Sequence, residues 1–76
     1  MFTYNIAKNA DQTAFNHFCA LIESKIKGIK KEELLEDVDG TKIQIYTAPD
    51  GKIKVYNDYE VDAVYADSEV DLKNII

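Results

Sequence analysis

The segment from Thr41 to Tyr56, TKIQIYTAPDGKIKVY, carries the clearest structural signal in the chain. Apolar and polar residues alternate in both of its halves, which is the period of a half-buried β-strand. The proline, aspartate and glycine at positions 49 to 51 are typical of a tight turn. The segment therefore predicts a β-hairpin.

A type I turn centred on Pro49-Asp50, with Gly51 in a left-handed conformation, would set the register of this hairpin. Residues 45, 46 and 47 would then lie opposite residues 55, 54 and 53. Tyr46 and Tyr56 would point away from the core in this register. The face toward the core would carry Ile43, Ile45, Ile53 and Val55.

One amphipathic α-helix is predicted over residues 10–27. Asn9 and Gln12 have the spacing of a capping box, and Gly28 is a typical C-terminal signal. Between them, apolar residues recur at steps of three and four, as on one face of a helix. These residues are Phe15, Phe18, Cys19, Ile22 and Ile26.

Shorter patterns complete the predicted architecture. Alternation predicts strands over residues 2–6 and 59–66, and residues 29–38 favour a short second helix. Ser68, with Asp71 three residues later, predicts a closing helix through Ile76. The expected fold is a single α+β domain over residues 1–76, with a three- or four-stranded, mostly antiparallel sheet packed on one main amphipathic helix and with short extra helices. Its expected core is Phe15, Phe18, Ile22, Ile26, Ile43, Ile45, Ile53 and Val55.

Charge and composition exclude several classes of function. Residues 1–31 have a net charge of plus three and residues 32–76 a net charge of minus eight. All nine basic residues are lysine, so no guanidinium group is present to grip phosphates or guanine bases. No stretch approaches the about 20 apolar residues of a membrane span. The single Cys19, among apolar residues, favours a reducing, cytoplasmic setting. We therefore expect neither direct nucleic-acid binding nor membrane insertion.

Asp37-Val38-Asp39-Gly40-Thr41 resembles the DxDGT motif of haloacid-dehalogenase-like phosphatases. The resemblance implies a nucleophile at Asp37 and an acid/base at Asp39. In that family the motif follows a buried apolar strand, whereas here it follows the charged residues 30–36. The sequence context favours a plain turn at Asp39-Gly40.

No metal or cofactor site is expected. Aligning Gly40 with the glycine of a calcium-binding EF-hand loop puts Leu35 and Tyr46 where two essential ligands belong. His17 and Cys19, two residues apart on a helix, diverge too far to act together as base and nucleophile. We therefore expect a protein without enzymatic activity.

The most distinctive surface feature is the acidic run from Asp58 to Asp71, which carries six carboxylates and no lysine. On one strand, Asp58, Glu60 and Asp62 would form a row of carboxylates beside tyrosines, and this row could imitate the phosphates of nucleic acid. The preferred hypothesis is an acidic protein that binds the basic surface of another protein, as an inhibitor of a nucleic-acid-binding enzyme of the kind phages and mobile elements encode. The alternatives are a structural or regulatory module whose acidic face is only solvated, and a phosphatase-like activity at residues 37–41. The candidate partner-binding residues are Tyr46, Tyr56, Asp58, Tyr59, Glu60, Asp62, Asp67 and Glu69.

Overall fold

The computed structural model describes all residues from 1 to 76 and shows one α-helix on one face of a five-stranded antiparallel sheet. The α+β class is confirmed. The sheet has five strands, whereas three or four were predicted, and the predicted short extra helices are absent. The elements are β1 (Phe2–Ala7), α1 (Gln12–Lys25), β2 (Lys30–Glu36), β3 (Lys42–Ala48), β4 (Gly51–Asp58) and β5 (Ala63–Ser68). The strand order is β1-β5-β4-β3-β2, so β1 and β2 are the edges.

The helix lies within its predicted range but starts and ends two residues inside it. Asp11, not Asn9, is the N-cap, and its carboxylate accepts hydrogen bonds from the Thr13 and Ala14 backbone amides at 2.9 and 3.1 Å. Aspartate at this position satisfies amides that have no partner within the helix. At the other end, Gly28 adopts a φ of 76°, a conformation that glycine reaches without strain.

The β3–β4 hairpin is confirmed, but its register differs by one residue from the prediction. Ala48 pairs with Gly51, so the turn is a two-residue loop of Pro49 and Asp50. Tyr46 consequently lies opposite Ile53, and Ile45 lies opposite Lys54. Because side chains alternate along a strand, a shift of one residue in one strand exchanges its two faces.

This exchange moves Tyr46 from the expected outer face into the core. Tyr46 is fully buried beneath α1, and its hydroxyl donates a 2.6 Å hydrogen bond to Glu23. That bond lowers the pKa of the Glu23 carboxyl, and Lys31 adds an ion pair with Glu23 at 3.3 Å. Ile43 and Ile45, predicted to be core residues, instead point to the other face and are half-buried.

The segment expected to form a second helix is the edge strand β2. Its lysines, glutamates and leucines have good helix propensity, but antiparallel pairing with β3 overrides this local preference. The pairing shifts between Lys31 and Leu34, which leaves a β-bulge there. The buried Gln44 side chain fills this irregularity by donating to the backbone carbonyls of Glu32 and Glu33 at 3.0 and 3.3 Å. Charges and a bulge are common on edge strands, where they discourage pairing with other chains.

The predicted strand over residues 59–66 starts later than expected, because residues 59–62 form a turn before β5. The predicted closing helix is also wrong. Ser68 ends β5 as a buried residue whose hydroxyl bonds the Val70 backbone, so it caps no helix. The chain then packs Leu72 into the core, and the Leu72 amide donates to the Tyr4 hydroxyl at 2.9 Å.

The core lies between α1 and the covered face of the sheet. The predictions for Phe15, Phe18, Ile22, Ile53 and Val55 are confirmed, whereas Ile26 only packs against the periphery. All buried side-chain polar atoms have hydrogen-bond partners. The remaining core residues are Cys19, Tyr46, Ala48, Val64, Ala66 and Leu72.

Phe18→Ala should destabilise the protein by about 3 to 5 kcal/mol, because it leaves a cavity under the only helix. Phe18 is 5% exposed, whereas the neighbouring His17 is on the exposed side of α1. His17→Ala is therefore the control, with an expected change within about 0.5 kcal/mol. Urea unfolding followed by circular dichroism measures both. Equal stabilities of the two variants would contradict this assignment of the core.

Gly51→Val should cost about 1 kcal/mol or more. Gly51 has a φ of 150°, which side-chain-bearing residues rarely adopt, and a Cβ atom there would lie 2.7 Å from the Glu69 Cβ. Lys52→Val, at the adjacent exposed position, adds a comparable side chain without this clash and serves as the control. Thermal melts would show the difference, and a Gly51→Val melting temperature equal to that of Lys52→Val would refute the steric argument.

Candidate protein-binding surface

Two acidic loops meet at one end of the sheet. The first, Asp37 to Thr41, joins β2 to β3, and the second, Tyr59 to Asp62, joins β4 to β5. The start of β3 pairs with the end of β4, so both loops lie at the same end of the sheet. The Tyr59 amide donates to the Thr41 hydroxyl at 3.0 Å, which ties the loops together. We call residues 37–39 and 58–62 the acidic end.

The acidic end combines negative charge with exposed apolar side chains. Val38 is fully exposed, Val61 is 62% exposed and Tyr59 is 46% exposed. A Cβ atom on Gly40 would lie 3.5 Å from the Tyr59 ring, so the ring rests on the backbone of the other loop. Apolar groups grouped on a surface in this way often mark an interaction site. The five carboxylates around them are Asp37, Asp39, Asp58, Glu60 and Asp62.

Most of these carboxylates also hold the loops in shape. Asp58 accepts hydrogen bonds from the Tyr65 hydroxyl at 2.8 Å and from the Glu60 and Val61 amides at 2.9 and 3.2 Å. The Tyr65 bond, together with these amides, lowers the pKa of the Asp58 carboxyl. Burial and the same Asp58 contact raise the pKa of the Tyr65 phenol well above its ordinary value. Asp58 thus remains ionised under all but strongly acidic conditions.

Asp62 connects the acidic end to the start of the helix. Its carboxylate accepts hydrogen bonds from the Ala10 amide at 2.8 Å and the Asn9 side chain at 2.9 Å, and both bonds lower its pKa. Asp62 has a φ of 56°, a left-handed conformation that aspartate and asparagine tolerate better than most residues. Glu60 makes no hydrogen bond through its side chain, so its charge is free for a partner.

The expected row of carboxylates along one strand is wrong, because Glu60 and Asp62 lie in a turn. The structure nevertheless keeps Asp58, Tyr59, Glu60 and Asp62 together at the acidic end. The other candidates are dispersed. Tyr46 is buried, Tyr56 and Asp67 lie on the uncovered face of the sheet, and Glu69 lies at the opposite end, where it accepts a 2.7 Å hydrogen bond from the Lys52 amide.

Asp37 and Asp39, interpreted in the sequence as part of a phosphatase-like motif, belong to a hairpin loop. The Asp37 carboxylate accepts from the Val38 amide at 2.7 Å, and the Asp39 carboxylate accepts from the Thr41 amide at 2.9 Å. All strand pairs are antiparallel, so Asp37 does not follow a strand of a parallel sheet as the phosphatase motif does. The turn interpretation is confirmed, although the turn joins two strands and not a helix and a strand.

Sequence reasoning missed that Asp37, Val38, Asp39 and Val61 share a surface with Tyr59. A usable signal was present, because DVD at 37–39 and DYEVD at 58–62 both alternate acidic and apolar residues. Glu69-Val70-Asp71 has the same alternation, so the pattern alone does not locate the shared surface.

Comparison with known proteins identifies no relative: no family model, curated protein or solved structure is significantly similar to the chain. No cluster of three or more histidine, cysteine, aspartate or glutamate side chains has the geometry to hold a metal ion. The helix is neither long enough nor apolar enough to cross a membrane. Any functional assignment therefore depends on the surface itself.

Asp62→Asn should reduce the loss of stability in acid. The pKa of Asp62 is lowered in the folded state, so its contribution is present above the ordinary aspartate pKa of about 3.9 and is lost as the pH falls through the lower folded value. Asparagine tolerates the same backbone conformation but does not titrate. Melting temperatures between about pH 6 and pH 2 should fall less for Asp62→Asn than for wild type.

Asp50→Asn is the matched control, because Asp50 is an exposed turn carboxylate without a hydrogen-bond partner in the chain. Its melting temperatures should follow those of wild type. If Asp62→Asn also follows wild type across this pH range, the hydrogen bonds to Asp62 do not couple its ionisation to folding.

Proposed function

We propose that this protein binds a partner protein that has a basic surface, and that it makes contact through the acidic end. The observation that carries the proposal is the meeting of two loops that place Val38, Tyr59 and Val61 among five carboxylates. The carboxylates attract and orient a basic partner, and the apolar side chains provide area to bury on contact.

The distribution of the lysines supports a directed approach to such a partner. Lys25 ends α1 and Lys30 begins β2, and both lie at the end of the sheet opposite the acidic end. Lys27 and Lys52 belong to the same opposite end, since Gly28 approaches Pro49 of the β3–β4 turn. Asp50 and Glu69 also lie at this end, so the four lysines leave it with a small net positive charge, in contrast to the five carboxylates of the acidic end. Such a charge distribution orients an approaching charged partner before contact.

Tyr59 is the residue best suited to anchor the contact. Its backbone is held by Thr41 and its ring rests against Gly40, so little side-chain freedom remains to be lost on binding. Its hydroxyl has no hydrogen-bond partner within the chain, so it is available to a partner. Tyrosine anchors surrounded by polar groups are frequent among residues that dominate binding energy.

We further propose that the partner is a nucleic-acid-binding enzyme and that this protein inhibits it. Proteins of this kind present basic grooves that recognise closely spaced phosphates, and clustered carboxylates are the side chains that can occupy such a groove. The absence of arginine from the chain agrees with a role opposite the basic groove and not on the nucleic acid. A phage or mobile element would be a natural source of such an inhibitor.

Glu60→Lys should slow association with the partner by about threefold or more at low ionic strength, and the effect should shrink at high salt. Tyr59→Ala should act mainly by accelerating dissociation. Glu60 is chosen because its side chain makes no hydrogen bond in the protein, so its reversal leaves the loop intact. The partner is recovered by affinity capture from the native host, and rates are then measured with the purified partner by surface plasmon resonance.

Asp50→Lys is the control, because it makes the same change of charge in an exposed turn at the opposite end of the sheet. It should leave the association rate nearly unchanged. If Glu60→Lys and Asp50→Lys have equal effects, net charge alone governs association. If neither Glu60→Lys nor Tyr59→Ala changes the rates, the acidic end is only a solvated surface, and a structural or regulatory role becomes the better interpretation.

A further inference from the structure

The sheet face that α1 leaves uncovered, which we call the open face, carries a row of apolar side chains among charged ones. In an antiparallel sheet with one face in water, the outward residues are normally polar. Strand β3 does the reverse, because Gln44 is buried beneath the helix while Ile43 and Ile45 point outward. Beside them, the Tyr56 and Tyr65 rings stack with centroids 4.6 Å apart.

This apolar surface extends across most of the sheet. Leu35 on β2 lies opposite Ile43, which in turn lies opposite Tyr56 on β4, and Tyr56 lies opposite Tyr65 on β5. Leu35 is 42% exposed and the other three are half-buried. A continuous apolar row across four strands is the composition expected of a surface that another molecule covers.

We propose that the open face is the interface of a homodimer, in which two copies pack face to face about a two-fold axis that runs across the strands. This axis places each strand over the same strand of the second copy and reverses its direction. Each row of side chains across the sheet then meets a different row of the second copy. An interface of this kind uses one patch twice and must be complementary to itself.

The register supplies this complementarity. Ile43 and Tyr56 lie in one row, and Ile45 and Lys54 lie in the next. With the axis between these rows, Ile43 covers Ile45 of the second copy, and the Lys54 ammonium lies over the Tyr56 ring, which is a favourable cation–π arrangement.

The outer rows are complementary in charge. Asp58 and Lys52 occupy opposite ends of the outward side of β4, so the proposed axis places Asp58 of one copy over Lys52 of the other. A two-fold axis parallel to the strands would instead place residues of the central strand β4 over themselves, lysine on lysine and aspartate on aspartate. Charge therefore selects the axis that runs across the strands.

The size of the face is sufficient for such a dimer. Five strands about 4.8 Å apart, each with about seven residues of 3.4 Å, give a face of roughly 20 by 24 Å, so two copies would bury on the order of 1,000 Å². Specific interfaces begin at about this area. Apart from Asp58, the acidic end stays outside the interface, so the dimer does not depend on the function proposed above.

Zero-length carbodiimide cross-linking tests the geometry directly. Within one copy, Lys52 and Asp58 are six residues apart along a strand, about 20 Å, which is too far for a direct amide link. A mass-spectrometric Lys52–Asp58 cross-link, formed between isotopically light and heavy copies, is the expected result. Analytical ultracentrifugation from micromolar to millimolar concentration should show a reversible monomer–dimer equilibrium.

Ile45→Lys should weaken dimerisation at least about tenfold in Kd, because it places a charge at the centre of the interface. Lys52→Glu should weaken it less. Lys27→Glu, an identical reversal outside the open face, should leave the Kd unchanged, and circular dichroism confirms that all variants fold. A monomer at every concentration would overturn the proposal. A dimer that lacks the Lys52–Asp58 link and is insensitive to Ile45→Lys would overturn it equally.

Discussion

The register of the β3–β4 hairpin sets which side chains enter the core and which face outward. A two-residue loop of Pro49 and Asp50 pairs Ala48 with Gly51, and every contact of β3 follows from that pairing. Tyr46 enters the core and reaches Glu23 on the helix, while the isoleucines of β3 turn to the open face. A slip of one residue would bury the isoleucines and expose Tyr46, which would leave both the core and the open face with different chemistry.

Buried polar side chains attach the peripheral elements to this hairpin. Gln44 bonds the carbonyls at the bulge of the edge strand β2, and Asn57 accepts a 3.0 Å hydrogen bond from the amide of the helix N-cap Asp11. Both side chains are almost completely inaccessible to solvent. A buried polar group without a partner is costly, so these contacts restrict where β2 and α1 can lie relative to the central strands. In a core this small, such restrictions add specificity that apolar packing alone would not provide.

Charge is arranged along the strand direction, and the arrangement has two consequences. The loops at one end collect carboxylates around Tyr59, which favours encounters with a basic partner. Along β4, Lys52 and Asp58 mark the two ends of the open face, which makes that face complementary to a reversed copy of itself. Apart from Asp58, the two proposed contacts use different parts of the surface, so a dimer would present two acidic ends pointing in opposite directions.

Three elements could be predicted from local signals: the amphipathic helix from its three- and four-residue periodicity, the hairpin from Pro49-Asp50-Gly51, and the first strand from alternation. The remaining features depend on contacts between residues that are distant in the chain. Residues 30–36 have helical propensity but pair with β3, because the backbone groups along the free edge of β3 provide hydrogen-bond partners for them. The local sequence pattern contains no information about these distant partners. The face of β3 and the meeting of the two acidic loops also depend on pairing between distant residues. Local composition shows which side chains are present, and only the register shows which of them meet.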